Sequence, residues 1–259
     1  MQKIRWSDTV PIFIFGLSML AVFLLLPLIG QKDILFVISS ILTPLIAFVL
    51  GVIGLWMFSR VSEMREDQIH TLYLWVSIGL IMLSLSEIVG ILVSFTQSPL
   101  PIEVTVGLVQ MPGLLLWGFG ILQYLRSVNS ALEVTESGKL WIILVFVTIV
   151  ATLGLVLIIA LYYPEIGLVE NIVLSPLIIS LTLFTFVALG CVWILRQGTI
   201  ARILVLIFIG FMLYLIRTAQ WAFAASLLGT PANSIFALEA YVFLGAAFIL
   251  ARKLGYPSQ

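Results

Sequence analysis

The chain has 259 residues, 62% of them hydrophobic and only 9% charged, and its 12 Lys plus Arg balance its 12 Asp plus Glu. A soluble domain is about a quarter charged and at most about half apolar, so this chain has too little polar surface to cover itself in water. A soluble enzyme, a nucleic-acid binder and a disordered chain are excluded, which leaves an integral membrane protein. One Cys (Cys191) excludes a disulfide framework and a thiolate metal site, and one His (His70) excludes His-pair haem ligation and the usual zinc sites.

A helix needs roughly 20 apolar residues to cross the hydrocarbon core. Eight segments meet that length: Pro11 to Gly30, Ile34 to Phe58, Thr71 to Phe95, Ile102 to Leu125, Leu140 to Tyr163, Ile172 to Leu195, Ile203 to Leu228 and Ile235 to Ala251. Unbroken runs of this kind predict helices, because barrel strands alternate apolar and polar residues over about ten positions. Lys3 and Arg5 precede the first run as in a signal peptide, but no small-residue cleavage site follows, and the run reads as a retained anchor.

Eight spans put the N-terminus, the loops after spans two, four and six, and the C-terminus on one side. That side carries Lys3, Arg5, Arg60, Arg65, Arg126, Lys139, Arg196, Arg202, Arg252 and Lys253, whereas the other carries only Lys32. The bias predicts cytoplasmic termini in a prokaryotic cell membrane. Trp6, Trp56, Trp75, Trp141 and Trp193 fall near the same interface, where indoles prefer to sit. The longest loops, Arg60 to His70 and Arg126 to Lys139, are too short to be domains.

Punctuating residues recur between the halves. Gly16-Leu17 matches Gly154-Leu155, Pro27 to Gly30 matches Pro164 to Gly167, Asp33 matches Glu170, and Gly54 with Arg60 matches Gly190 with Arg196. Gly79 matches Gly210, and Gly118 to Leu122 resembles Ala246 to Leu250. The expected fold is therefore all-α, with eight transmembrane helices as two tandem four-helix repeats related by a pseudo-twofold axis along the membrane normal. The repeats are 1–126 and 140–259, joined by a cytoplasmic linker over 127–139. An interface between two such units is a common place for a site.

An ionisable group inside a span costs about 3 kcal/mol or more and needs a reason. Three stand out: Glu87 in span three, Arg217 in span seven and Glu239 in span eight. Counting about 1.5 Å per residue puts all three in the outer half of the bilayer, with Glu87 face to face with Arg217 across the repeat axis. Helical spacing predicts inward stripes of Gly210, Tyr214, Arg217, Gln220 and Ala224 on span seven, and of Gln110, Gly113, Trp117, Gly120 and Tyr124 on span four. Ser86, Gly90 and Ser94 form a small-residue stripe on span three suited to close packing.

The candidate ligand-binding set is Glu87, Gln110, Tyr214, Arg217, Gln220 and Glu239. One reading is a binding or transport site for a small polar or ionic ligand, in which one Glu pairs with Arg217 and the other is free for a cation or proton. The other reading makes these charges a fastener between the halves of a non-catalytic subunit or sensor that holds a lipid, a quinone or a partner chain. Catalysis is disfavoured, since there is no Asp-x-x-x-Asp, Glu-Glu or His pair and no nucleophile beside a base. No catalytic residue, metal ligand or cofactor is assigned. The expected partners are the lipid bilayer and further membrane subunits or copies of the chain, not nucleic acid.

Other residues read as structural. His70 is expected to be a solvated residue just before span three, Cys191 a packing residue, and Asn233 with Ser234 the N-cap of span eight. Pro44, Pro112 and Pro176 fall inside spans, where they can kink a helix. Glu63, Arg65, Glu66 and Asp67 form a solvated loop open to a docking partner.

Overall fold

The computed structural model of the chain describes residues 6–60, 68–95, 102–132, 145–149, 151–153, 168–196, 200–224 and 229–254. Lys3, Arg5, Arg65, Lys139, Trp141, the 63–67 loop, the linker from 133 onward, most of span five and the repeat matches at Gly154-Leu155 and Pro164 to Gly167 lie outside these residues. A short 3-10 turn, Trp6–Thr9, leads into α1 (Val10–Leu28), followed by α2 (Lys32–Arg60), α3 (Gln68–Ser94) and α4 (Ile102–Leu132). Helix α5 is described over 145–149 and 151–153. Then come α6 (Leu168–Ile194), α7 (Ile200–Ala224) and α8 (Gly229–Leu254).

Helices are the expected outcome, because hydrocarbon offers no partner for backbone N–H and C=O groups and a helix satisfies them internally. No strand occurs among the described residues, and seven of the helices are long and apolar enough to cross a membrane. The chain is thus an all-helical integral membrane protein. The turn from α1 to α2 is closed by Gly30 at φ +78°. Its N–H donates to the Pro27 carbonyl (3.2 Å), and Gln31 N–H donates to that of Leu26 (2.9 Å), the paired bonds of a glycine-terminated helix.

Six helices form a closed ring in which α2 packs on α3, α3 on α4, α4 on α6, α6 on α7, α7 on α8 and α8 back on α2. Helix α1 lies outside the ring against α8 and α2. Its outward residues Leu17, Leu24 and Leu25 are exposed, as are Ile41 and Phe48 of α2, which suits a surface solvated by lipid tails. One end of the ring carries indoles and cations together. Arg252 lies over Trp56 (6.0 Å), Arg196 over Trp193 (5.2 Å), and Trp75 Nε1 donates to Gln123 Oε1 (3.1 Å).

The α3–α4 crossing fixes the centre of the bundle. A Cβ on Gly79 would stand 2.4 Å from the Trp117 ring and 2.7 Å from the Gly113 carbonyl, so only glycine lets the helices meet. Trp117 is fully buried; its Nε1 donates to the Val76 carbonyl (3.0 Å) and its ring stacks on Phe211 of α7 (5.0 Å, 10°). One side chain of α4 thus reaches both α3 and α7. The α7–α8 crossing repeats the device at Gly210, whose added Cβ would meet Leu244 at 2.9 Å and the Ala240 carbonyl at 3.2 Å.

Two expectations at helix starts are corrected. His70 lies inside the first turn of α3, buried and edge-on to Tyr73 (6.5 Å), because α3 begins at Gln68 rather than Thr71. Asn233 and Ser234 lie inside α8, which begins at Gly229, so neither caps it. In both cases the helix runs past the end of its apolar stretch.

Replacing Gly79 with Val forces Trp117 off both Val76 and Phe211. The variant should lose about 1–3 kcal/mol of stability, read as an earlier unfolding midpoint in detergent, while lipid-facing Leu17→Val leaves the midpoint unchanged.

Candidate functional site

Four of the five stripe residues on α7 fall where the structure describes side chains, and the side chain of Ala224 lies outside the described residues. Gly210, Tyr214 and Arg217 are buried and Gln220 is half-buried, all turned into the bundle. On α4, Gln110, Gly113, Trp117, Gly120 and Tyr124 are buried. Of the small residues on α3, Ser86 is buried and Gly90 meets Val106, but Ser94 is exposed, and the closest approach is at Gly79 instead.

Arg217 and Glu87 meet. Nη2 of Arg217 pairs with Oε1 of Glu87, joining α7 to α3 across the ring, with the two side chains only 8% and 16% exposed. Nη1 of Arg217 donates to the Tyr214 hydroxyl (2.7 Å), and the guanidinium lies over the Tyr214 ring (5.0 Å). Tyr214 in turn stands edge-on to Trp117 (5.3 Å) and tilted against Tyr241 of α8 (6.1 Å). The aromatic centre of the bundle therefore forms the floor beneath the charges. Thr218 Oγ1 donates to the Tyr214 carbonyl (3.0 Å), so that hydroxyl is satisfied within its own helix.

Helix register puts both amides at the depth of the pair. Gly79 opposes Gly113 and Gly90 opposes Val106 along the antiparallel α3–α4 contact, so Gln110 is level with Glu87 to within about one turn. Gln220 follows Arg217 by one turn on the same face of α7. Its Oε1 is buried with no hydrogen-bond partner among the described residues, and the buried Tyr241 Oη likewise makes no properly aligned bond there.

Glu239 does not join this group. Tyr241 faces Tyr214, and two residues turn a helix by about 200°, so Glu239 looks out of the other side of α8. Its Oε2 lies against α1, within 3.2 Å of where a Gly16 Cβ would stand. Residue counting along the membrane normal does not fix direction around the helix axis. Conversely, it missed Tyr241. The available signal was that Tyr241 sits opposite Glu239 on the helical wheel, so both cannot face one cluster.

The pair is neutral overall, with a guanidinium on one helix, a carboxylate on another and a phenol holding the guanidinium in place. It can hold an anion on Arg217 or a cation on Glu87 only by opening. No group of three or more His, Cys, Asp or Glu suited to a metal ion occurs among the described residues. An apolar hollow of about 620 Å³, lined by Trp75, Pro112, Phe119 and Phe184 among others, lies on the α3–α4–α6 side and brings no charge to the site. No family model, curated protein or solved structure matches the chain, so the reading of the site rests on its own residues.

Removing one partner of the pair strands the other charge in a buried setting. Arg217→Leu or Glu87→Leu alone should cost about 3–5 kcal/mol, and the double Leu variant should recover most of that loss, measured as a double-mutant cycle on unfolding midpoints.

Proposed function

We propose that this membrane protein binds and carries a small polar or ionic solute at the Glu87–Arg217 cluster, between two four-helix halves over 1–126 and 140–259 joined by the 127–139 linker. The observation that carries the reading is Gln220 Oε1, one turn from the ion pair and buried without a hydrogen-bond partner among the described residues. Buried polar groups in folded proteins are nearly always hydrogen-bonded, so an orphan acceptor beside a charged pair is a mark of a ligand-facing surface. Gln110, level with it on α4, widens the polar lining. A fastener alone needs the two charges and Tyr214 but has no use for the amides.

The two-half reading draws support from the order of the ring. The contacts of α2 with α3, α3 with α4 and α4 with α6 are mirrored by those of α6 with α7, α7 with α8 and α8 with α2. The close-packed glycines Gly79 and Gly210 hold matching places in the two series. Under this reading an axis runs between α3 and α7, and Glu87 and Arg217 face each other across it. The charge bias of the loops sets the paired charges toward the outer face, with both termini in the cytoplasm.

A second reading is favoured by one observation: Glu87 and Arg217 already meet, and Tyr214 holds the guanidinium. That is a complete structural fastener, and it fits a non-catalytic subunit that holds a lipid, a quinone or a partner chain. Gln220 separates the two readings, because it belongs to the ligand surface in the first and to nothing in the second.

The test is thermal unfolding of the purified protein with acetate, phosphate, glycine and choline as probes. A bound probe at a hundredfold excess over its Kd adds about 2.7 kcal/mol. The expected result is that one probe class stabilises the wild type, while Gln220→Leu, which leaves the Glu87–Arg217 pair intact, folds normally and loses the response. A Gln220→Leu variant that keeps the full response, or co-purification of a lipid, quinone or partner chain with no response to any probe, overturns solute binding in favour of the subunit.

A further inference from the structure

Glu239 has surroundings of a different kind from those of Arg217. Its carboxylate lies in the seam between α8 and α1, with Oε2 against Gly16 and Oε1 buried without a hydrogen-bond partner among the described residues. A Cβ on Gly16 would also stand 3.0 Å from Val242, so the glycine is what lets α1 close over the carboxyl. The seam is finished by Phe23, Leu35 and Leu238. Depth follows from register. Gly210 lies midway along the Ile200–Gln220 span and packs against Ala240 and Leu244, and Gly16 lies near the middle of the Ser7–Leu28 span. Glu239 is therefore close to the middle of the membrane.

Among the described residues, no cation from a neighbouring element is placed to neutralise it. Helix α1 has no titratable side chain, and Asp8 in the preceding turn is two helical turns away from Gly16. The charges of α2, Lys32, Asp33 and Arg60, stand at its two ends. On α7, Arg202 is near the start, and Arg217 is held by Glu87 and Tyr214 toward the opposite side of α8. Tyr73 of α3 packs edge-on against Phe248 of α8, nine residues beyond Glu239. Within α8, Arg252 is thirteen residues away, about 20 Å along the axis, and lies over Trp56.

An ionised carboxylate without a counter-charge near the bilayer centre costs about 3 kcal/mol or more. A metal cation would need several oxygen ligands, and this seam offers Val, Leu and Phe side chains. A proton needs no ligand beyond the carboxyl itself. We propose that Glu239 is a reversible proton-binding site. The carboxylate takes up one proton to form the neutral acid while α1 is packed on α8, and returns it to water when the seam opens. One O–H bond forms or breaks, one charge appears or disappears, and no other reactant is needed. The site is separate from the Arg217 cluster and does not depend on solute binding there.

The test is modification of the full-length protein in lipid nanodiscs by dicyclohexylcarbodiimide, mapped by peptide mass spectrometry. This apolar reagent takes the acid proton onto nitrogen while a carboxyl oxygen bonds its central carbon, and the adduct rearranges to a stable N-acylurea. The expected result is an adduct at Glu239 whose yield falls as pH rises, with Glu87 unmodified because Arg217 pairs with its carboxylate. Infrared spectra in the same nanodiscs should contain a protonated-carboxyl band that Glu239→Gln removes. Absence of the adduct at every pH overturns the proposal. So does an adduct that forms only after a co-purifying chain is stripped away, since a partner's cation would then be the natural occupant. If Glu239→Gln does not fold, the pH dependence of the wild-type adduct decides alone.

Discussion

The fold is arranged around a guanidinium placed where there is no water. Arg217 cannot shed its charge, since its guanidinium stays protonated in proteins, so a carboxylate has to be brought to it inside the bundle. Glu87 answers from α3, a helix on the other side of the ring. Neither residue can reach its partner unless α3 and α7 are held at a fixed separation and rotation, and much of the remaining architecture does that. Polar contacts inside membranes are individually modest, with interhelical bonds typically worth about 0.6–2 kcal/mol. The constraint therefore acts less by the energy it adds than by the cost of every arrangement that leaves Arg217 unpaired.

Two glycine crossings and one indole supply the rigidity. Gly79 lets α4 approach α3 until Trp117 can reach the Val76 carbonyl, and the same indole stacks on Phe211, one turn before Tyr214 on α7. Tyr214 then stands between this packed centre and the charge, donating no freedom to Arg217 while accepting its hydrogen bond. Packing thus passes without a break from an apolar crossing to a polar site. Gly210 and Tyr241 extend the same scaffold into α8. The charged pair rests directly on this packed centre, and Glu87 already occupies the face of Arg217 turned toward α3.

Much of this was legible in the residues. Apolar runs long enough to cross hydrocarbon have one good solution, a helix, and helical periodicity then assigned Tyr214 and Arg217, and Gln110 and Trp117, to inward faces. Opposite charges in spans three and seven at one depth implied their meeting. For Glu239, residue counting gives the outer half, whereas register puts it nearer the middle, and azimuth is not in the sequence because it depends on which neighbour each helix chooses. Tyr241 went unnoticed for the same reason. His70 and Asn233 were misjudged for another: hydropathy marks where hydrocarbon ends, whereas a helix continues as long as its backbone bonds are made. The pairing of Gly79 with Trp117 was invisible, because a single glycine in an apolar span does not announce which ring it admits.

The account depends most on the contact between Glu87 and Arg217 existing in a bilayer. Solid-state NMR of the protein in lipid, with ¹³C in the glutamate carboxyls and ¹⁵N in the arginine guanidiniums, measures that contact through its dipolar coupling. A strong carboxyl–guanidinium coupling that disappears in Glu87→Gln is the predicted result. A spectrum unchanged by that substitution, with Arg217 coupled to another carboxylate or to none, would contradict the account at its centre.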